Sequence, residues 1–164
     1  MTHIGIISDT HGYLDPPVFD LFKDCDEVWH AGDFGSNVAE ALKAFKPLKG
    51  VYGNIDGDVV RKNFPEELFF LCEEVKVFMI HIGGYPNRYQ PGIKEKLFQL
   101  KPDLFITGHS HILKVTRDAS LNNMLHINPG AAGKVGLHQV RTIVRLKIDG
   151  RKIFDVEVIE LGKR

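Results

Sequence analysis

The sequence predicts an α/β fold in which two β-sheets pack as a sandwich flanked by helices. In the first half of the chain, short apolar runs alternate with amphipathic stretches, the pattern of strands that alternate with helices. The last third consists almost entirely of strand-like runs. Strands that alternate with helices and are followed by hairpins are typical of layered sheets with helices on the outside.

Length and composition fit one globular domain that spans residues 1–164. Apolar residues make up 43% of the chain, enough for a hydrophobic core at this length. The 21 lysine and arginine residues balance the 21 aspartate and glutamate residues. This balance argues against a protein whose main role is to coat nucleic acid or a membrane surface.

The cysteines and the N-terminus indicate a cytoplasmic protein. Cys25 and Cys72 are too few for a disulfide framework and too far apart for a CxxC motif, which favours two buried thiols in a reducing compartment. The opening MTHIGIISDTHG lacks the basic region and the apolar run of a signal peptide. No window approaches the roughly 18 apolar residues of a membrane span, so no membrane association is expected.

In the first half, the apolar runs predict strands over residues 3–8, 27–30 and 48–52. Helices are predicted over residues 18–23 and 37–45. Pro16 and Pro17 precede the first helix, where the first turn tolerates proline. Ser36 or Asn37 is the expected cap of the second helix.

The second half begins with a predicted hairpin of strands 68–72 and 75–80 about Glu73 and Glu74, followed by a helix over 93–100. Further strands are predicted over 103–107, 113–117, 124–127, 140–148 and 152–159. Asp149-Gly150 joins the last two as a strong hairpin signal. Strand 140–148 alternates between two faces, except that Ile143 lies on the polar face.

Aspartate, asparagine and histidine side chains follow the ends of five predicted strands. They stand in the segments Asp9-Thr10-His11, Gly32-Asp33, Gly53-Asn54, His81 and Gly108-His109-Ser110-His111. In an open α/β sheet the carboxyl ends of the strands form one edge, and ligands bind at that edge. We therefore expect these groups to converge, although they are spread from position 9 to position 111.

Each residue type suits a metal centre. A carboxylate such as Asp33 can offer one oxygen to each of two ions, and Asn54 adds a ligand without adding negative charge. Imidazole, carboxylate and amide together suit Mn, Fe, Zn or Ni better than Ca or Mg. Gly32, Gly53 and Gly108 are expected to let the backbone turn sharply beside each ligand.

The ordered set DxH, GD, GN, H and GHxH resembles the calcineurin-like metallophosphoesterase superfamily. The opening IGIISDTHG and the segment INPG that ends at Gly130 are most similar to its small phosphodiesterases of the YfcE type. The resemblance runs from Gly5 to Gly130 and implies a metallophosphoesterase-type αββα arrangement. The complete set is highly specific, whereas DxH or GHxH alone would be weak evidence.

The resemblance implies two divalent ions, with Mn favoured and Fe, Zn or Ni as alternatives. One ion would be held by Asp9, His11, Asp33 and His111, and the other by Asp33, Asn54, His81 and His109, with Asp33 bridging. Among these, Asp9, Asp33, Asn54 and His109 are the expected catalytic residues. Two ions roughly 4 Å apart would polarise the phosphoryl oxygens and turn a shared water into a bridging hydroxide for in-line attack.

Two positions depart from the pattern of many relatives. Ile55 stands where many relatives have a histidine that protonates the leaving group, so we expect slow turnover or a preference for good leaving groups. After His81 the chain reads Ile82-Gly83 in place of GH, which removes an imidazole that could contact the substrate.

Several residues have two interpretations each. Asp56 either orients a metal ligand or is a turn residue before Gly57, and His30 is either a packed histidine or a support of the site. Asn128 makes turn bonds or acts near the site. Arg88 is a solvated loop arginine or binds a substrate phosphate. The apolar run 68–71 is core, an inter-sheet face or a dimer contact.

The sequence thus predicts a metal-dependent phosphodiesterase, a hydrolase acting on phosphate esters. Its partner would be a phosphodiester substrate, nucleic acid included among the candidates, and a homo-oligomer is compatible with the sequence. The alternative is a catalytically weak protein-interaction scaffold on the same fold, as in the retromer subunit of this superfamily. A phosphomonoesterase or nucleotide pyrophosphatase would differ in substrate alone.

Overall fold

A computed structural model describes residues 1–164 and confirms the predicted α/β fold with two main sheets. The strands are β1 (Thr2–Ile7), β2 (Glu27–His30), β3 (Leu48–Gly50), β4 (Glu67–Cys72), β5 (Val75–Ile80), β6 (Gly84–Tyr85), β7 (Arg88–Tyr89), β8 (Leu104–Ile106), β9 (Lys114–Asp118), β10 (Met124–Asn128), β11 (Val140–Asp149) and β12 (Lys152–Lys163). The helices are α1 (Pro17–Leu21), α2 (Val38–Phe45), α3 (Asp58–Asn63) and α4 (Ile93–Leu100), with a 3-10 turn at Ala119–Leu121.

Each main sheet has five strands and a parallel centre. The first sheet has the order β12-β11-β1-β2-β3, and the second has the order β4-β5-β8-β10-β9. Strands β1, β2 and β3 run parallel to one another, as do β5, β8 and β10. The carboxyl ends of three strands of one sheet and three of the other therefore carry the loops that form the functional site.

The main hydrophobic core lies between the two sheets. Ile4, Ile6 and Trp29 of the first sheet pack in one buried cluster with residues such as Val77 and Ile106 of the second. Burying these branched and aromatic side chains stabilises the pair of sheets, since each contributes about 1.5–3 kcal/mol when fully removed from water.

The apolar run 68–71 divides between the core and the solvent. Leu68 and Phe70 pack against the inter-sheet core. Phe69 and Leu71 point outward from the edge strand β4 and remain 44% and 65% exposed. Period-two alternation explains this division.

Helices cover the outer faces of the sheets. Val18, Phe22, Val38 and Leu42 form a second buried cluster on the first sheet, and Ile143 of β11 belongs to it. The strand face on which Ile143 lies was predicted to be polar, but at this position it is covered by the second cluster. Both faces of β11 are buried there, which explains an apolar residue on each. None of the helices combines the length and the hydropathy that a membrane-spanning helix requires.

The structure corrects the predicted elements at three places. Helix α3 and the short pair β6–β7 were absent from the prediction, and none of the α3 residues is buried, so this helix leaves no apolar period to detect. Asn37 does occupy the N-cap of α2, but its φ is 68° and its side chain makes no capping hydrogen bond.

Candidate metal centre

The loops at one edge of the sandwich bring together the side chains that the sequence analysis singled out. Each group follows a strand: Asp9 and His11 follow β1, Asp33 follows β2, Asn54 follows β3, His81 follows β5, and His109 and His111 follow β8. Parallel strands direct their carboxyl ends to the same edge, and the packing of the two sheets brings their edges side by side.

Two groups of three side chains could each hold a metal ion: Asp9, His11 and His111 form one, and Asp33, His81 and His109 form the other, with the ligand atoms of each group within 4.8 Å of one another. Asp9 Oδ1 lies 3.1 Å from His111 Nε2, and Asp33 Oδ2 lies 3.1 Å from His81 Nε2. The groups adjoin, because Asp33 Oδ2 is also 3.7 Å from His11 Nε2 and Asp9 Oδ1 is 3.8 Å from His81 Nε2. Both carboxylates therefore lie between the two groups.

Asn54 joins the second group at its solvent side. Its Oδ1 lies 3.0 Å from His109 Nδ1, and both side chains are exposed, whereas Asp9, Asp33 and His81 are buried. The centre is thus open to solvent on the side of Asn54 and His109 and closed beneath.

The donor set fits divalent cations. Asp9 and Asp33 are 0% and 2% exposed, yet no lysine or arginine pairs with either carboxylate. Asp9 Oδ1, His11 Nε2 and His81 Nε2 are buried without a hydrogen-bond partner. Buried polar atoms are ordinarily satisfied, and buried charges are ordinarily paired or bound to metal. Unpartnered oxygen and nitrogen acceptors directed at one another are the arrangement that a cation would complete.

The electrostatics keep both carboxylates ionised. Burial disfavours the charged form of Asp9, but the neighbouring histidines, His11 first, outweigh it and hold the pKa of Asp9 well below its usual range. At Asp33, burial again disfavours the charged form, but the contact with His81 outweighs burial and lowers the pKa of Asp33. The neighbouring carboxylate of Asp9 raises the pKa of His11. Burial and the charge of His81 lower the pKa of His109. The two ionised carboxylates are groups with which a bound cation would pair.

Much of this centre is built on left-handed backbone. Non-glycine residues rarely adopt positive φ, since their Cβ crowds the following carbonyl oxygen. Here φ lies between 46° and 73° at five of the seven candidate ligands: Asp9, His11, Asp33, His109 and His111. Such strain persists where surrounding contacts hold it, and it clusters at functional sites.

His30 supplies one of these contacts: it is both a packed histidine and a support of the site. Its ring stacks on Phe34 with 3.6 Å between centroids, and burial lowers the pKa of His30 to about 3, so the ring is neutral. Gly32 N–H donates to Nδ1 at 3.0 Å, and Nε2–H is then free to donate to Thr10 Oγ1, also at 3.0 Å. The Thr10 hydroxyl in turn donates to the Phe34 carbonyl at 2.7 Å. This relay joins the loops that carry the two aspartates.

Ser8 and Thr10 contact the candidate site and were not predicted from the sequence. Ser8 Oγ donates to Asp9 Oδ2 at 2.6 Å, and His109 N–H donates to the same oxygen at 3.1 Å. The two hydroxyl residues directly flank Asp9, and that position was the available signal, because a hydroxyl beside a ligand carboxylate can orient it.

Asp56 orients the loops rather than merely forming a turn. Its Oδ2 accepts from Gly53 N–H at 2.9 Å and from Phe34 N–H at 3.2 Å. Its Oδ1 accepts from Gly35 N–H at 3.1 Å. One buried carboxylate therefore ties the loop after β2 to the loop after β3.

We expect Asp56→Asn to destabilise the protein by about 3 kcal/mol, because the amide cannot accept from all three backbone donors and leaves buried groups unpaired. Urea unfolding compared with wild type measures this loss. Asp58→Asn is the matched control, since Asp58 is exposed two residues further on. An Asp56→Asn protein as stable as the control would show that the three hydrogen bonds do not hold the loops.

Asn128 also serves both of its proposed roles. Its Oδ1 accepts from Gly130 N–H at 3.0 Å, which closes the turn. Its Nδ2 donates to the Gly108 carbonyl at 3.0 Å and to Ser110 Oγ at 3.1 Å, which fixes the loop of the two histidines.

The glycines beside the candidate ligands were predicted to make sharp backbone turns, and only one of the three does so. Gly32 does have a positive φ of 104°, as a sharp turn requires. Gly53 and Gly108 do not, and the reason for glycine there is close approach: a Cβ at Gly53 would overlap Asp33, and one at Gly108 would overlap Ser8 and Asp9. A Cβ at Gly32 would also overlap the His81 ring, so close approach of a neighbouring side chain favours glycine at all three positions.

Comparison with known proteins gives consistent results. Residues 2–151 match the calcineurin-like phosphoesterase superfamily domain. A probable metallophosphoesterase of Methanothermobacter thermautotrophicus (strain Delta H) is 32% identical over 165 residues, which span 97% of this chain and 92% of that protein.

Solved structures share the fold. An archaeal phosphodiesterase superposes with a TM-score of 0.77 at 24% identity, over 97% of this chain and 99% of the other. Vps29 of Chaetomium thermophilum superposes with a TM-score of 0.76 at 16% identity, over 100% of both chains.

Proposed function

This chain belongs to the calcineurin-like phosphoesterase superfamily, a family of phosphate-ester hydrolases, and we propose that it hydrolyses phosphodiesters with two bound divalent ions. The observation that carries this proposal is the pair of adjoining ligand groups, in which buried acceptor atoms of Asp9, His11 and His81 have no partner. Such atoms are costly in a protein that binds nothing there.

In this proposal Asp33 is shared by both ions. Asp9, His11 and His111 complete the first set of ligands, and Asn54, His81 and His109 complete the second. Mn²⁺ is the proposed metal, and Fe, Zn and Ni suit the same mixture of imidazole, carboxylate and amide. When bound, the ions supply Lewis acidity toward the phosphoryl oxygens and activate a water molecule.

The residues of the chain itself provide orientation. The His30–Thr10 relay and Asp56 hold the loops of the two aspartates, and Asn128 holds the loop of His109 and His111. Fixing ligands in this way is what gives a metal centre its geometry before substrate binds. Ile55, 49% exposed beside Asn54, offers no proton to a leaving alkoxide. The protein is therefore best suited to esters whose leaving group departs without an acid.

A diester suits this centre better than a monoester. A phosphodiester carries one negative charge, whereas a monoester dianion carries a second that must also be compensated. Ile82 and Gly83 after His81 leave out an imidazole that could compensate this second charge on the phosphate. The likeness to an archaeal phosphodiesterase supports the same substrate class.

A protein-interaction scaffold is the second candidate, and two observations favour it. The fold is shared with Vps29, and apolar side chains beside the ligand loops are exposed, Ile55 at 49% and Ile112 at 64%. The completeness of the ligand set favours the enzyme, because a scaffold has no use for a buried carboxylate oxygen of Asp9 and buried imidazole nitrogens of His11 and His81 that lack partners.

Hydrolysis of bis-p-nitrophenyl phosphate by metal-stripped protein, with and without added Mn²⁺, tests the proposal. We expect turnover only with Mn²⁺, and slower turnover of p-nitrophenyl phosphate, because the monoester brings the additional charge. The nitrophenolate leaving group needs no acid. Metal content is measured on the same samples. Protein that holds two ions per chain and hydrolyses neither ester would overturn the enzyme proposal and support the scaffold.

A further inference from the structure

A cavity of about 270 Å³ opens beside the metal centre, between the β6–β7 hairpin and the loop after β8. Its lining includes Tyr85, Arg88 and Gln90 from the hairpin side and His109 and Ser110 from the loop. His109 also belongs to the second ligand group, so the cavity and the centre share a wall. A group bonded to a phosphate at the centre would enter this space.

The cavity is positively charged and contains no carboxylate. The Arg88 side chain makes no hydrogen bond or ion pair with the protein and is exposed, so its guanidinium is free to bind a ligand. The Lys114 ammonium lies 4.2 Å from the centroid of the Tyr85 ring and adds a second cation next to the cavity. The planar guanidinium matches the oxygens of phosphate or carboxylate through paired hydrogen bonds.

The hairpin that carries Arg88 is short but held in place. Gly84 pairs with Tyr89 and Tyr85 pairs with Arg88, and Gln90 N–H donates to the Gly83 carbonyl at 3.1 Å. The Tyr89 hydroxyl donates to Asp118 at 2.6 Å, which ties the hairpin to β9. The Arg88 backbone is thereby positioned before substrate arrives, which lowers the ordering cost of binding.

We propose that this cavity is the subsite for the part of the substrate beyond the scissile phosphate, and that Arg88 selects an esterifying group carrying a second negative charge. The inference rests on the proposed function and deepens it, since the substrate class becomes a diester with a further phosphate. The volume admits one nucleoside-sized or sugar-sized group rather than a long chain. The second phosphate could belong to a nucleotide or to a sugar phosphate, which share this chemistry.

A matched pair of substrates isolates the second charge. Thymidine 5′-(p-nitrophenyl phosphate) is compared with the same ester that also carries a 3′-phosphate, in the presence of Mn²⁺. Both release nitrophenolate, so only the distal charge differs. We expect the kcat/KM ratio to favour the 3′-phosphorylated ester by about tenfold, the effect of one solvent-screened charge-assisted hydrogen bond, expressed mainly in KM.

Arg88→Gln should bring this ratio close to one, and Arg88→Lys should restore part of it. Arg151→Gln is the control, because it removes one exposed cation in the β11–β12 turn and leaves the cavity intact.

A glucose phosphate diester of p-nitrophenol, with and without a second phosphate on the sugar, distinguishes a nucleotide from a sugar phosphate. A wild-type ratio near one for both pairs, or a ratio that survives Arg88→Gln, would overturn the inference.

Binding separates this inference from the proposed function. Calorimetry compares thymidine 3′,5′-bisphosphate with thymidine 5′-monophosphate, and we expect tighter binding of the bisphosphate that Arg88→Gln abolishes. If no ester is hydrolysed but this difference appears, the catalytic proposal fails and the subsite stands. If the esters are hydrolysed without charge discrimination, the subsite fails and the catalytic proposal stands.

Discussion

We expect Asp33→Asn to lower Mn²⁺-dependent hydrolysis of bis-p-nitrophenyl phosphate by at least about 10³-fold, because loss of the proposed bridging carboxylate would remove several kcal/mol of transition-state stabilisation. Asp33 Oδ2 lies within 3.7 Å of a histidine from each ligand group, so one substitution affects both groups. The change is nearly isosteric, and Oδ1 of the new side chain can still accept from Ile55 N–H, a contact of 3.0 Å in the wild type. The fold should therefore survive.

Two further measurements make the Asp33 result interpretable. Metal stoichiometry by native mass spectrometry should fall below two ions per chain in the variant. Asp20→Asn, at an exposed position of α1, removes the same charge far from the centre and should leave activity unchanged. An Asp33→Asn protein that binds two ions and retains wild-type activity would exclude the proposed bridging role.

Gly53→Ala should have the second largest effect, a loss of about 10²-fold in activity from displacement of a ligand by a fraction of an ångström. Gly53 lies in the loop after β3, in close contact with Asp33. A methyl group there would overlap the Asp33 carboxylate and its backbone nitrogen. Backbone cannot move aside as a flexible side chain can, so the two loops must separate. Overpacking of this kind costs about 1–3 kcal/mol of stability as well.

Gly57→Ala is the control for this experiment. Gly57 lies four residues further on, has no atom within 4 Å of an added Cβ and has no positive φ. The same methyl group is therefore added in open space. We expect Gly57→Ala to retain activity within a small factor. Equal activities of the two variants, measured under saturating Mn²⁺, would show that Gly53 is not required for close approach to Asp33.

The sequence by itself determined the order of most strands and helices and the identity of the candidate ligands. Strand 27–30 and helix 93–100 appear with the bounds that their apolar periods predicted, because burial of one face imposes the period on the sequence. The positions of Asp9, Asp33, Asn54, His81 and His109 after successive strands also follow from sequence, since parallel strands direct their ends to one edge. The ligand roles remain a proposal for the experiments above.

Helix α3 could not be predicted from the sequence, because a helix without buried residues has no apolar stripe. Asn37, one of the two predicted caps, is the N-cap of α2, but the side-chain hydrogen bond expected of a cap is absent. A capping hydrogen bond depends on the backbone angle of the cap residue, and that angle is set by the loop in three dimensions.

Only the tertiary structure decided how the centre is held. The hydrogen bonds from Phe34 and Gly35 to Asp56 and the one between His30 and Thr10 join residues 20 to 22 positions apart along the chain. The left-handed backbone at Asp9 and Asp33 lies in the loops that these contacts hold. No local pattern records such contacts, because each depends on the distance between loops of different strands. The residue types that can bind a metal are therefore written in the sequence, whereas their spacing and strain, and the cavity beside them, are consequences of how the two sheets pack.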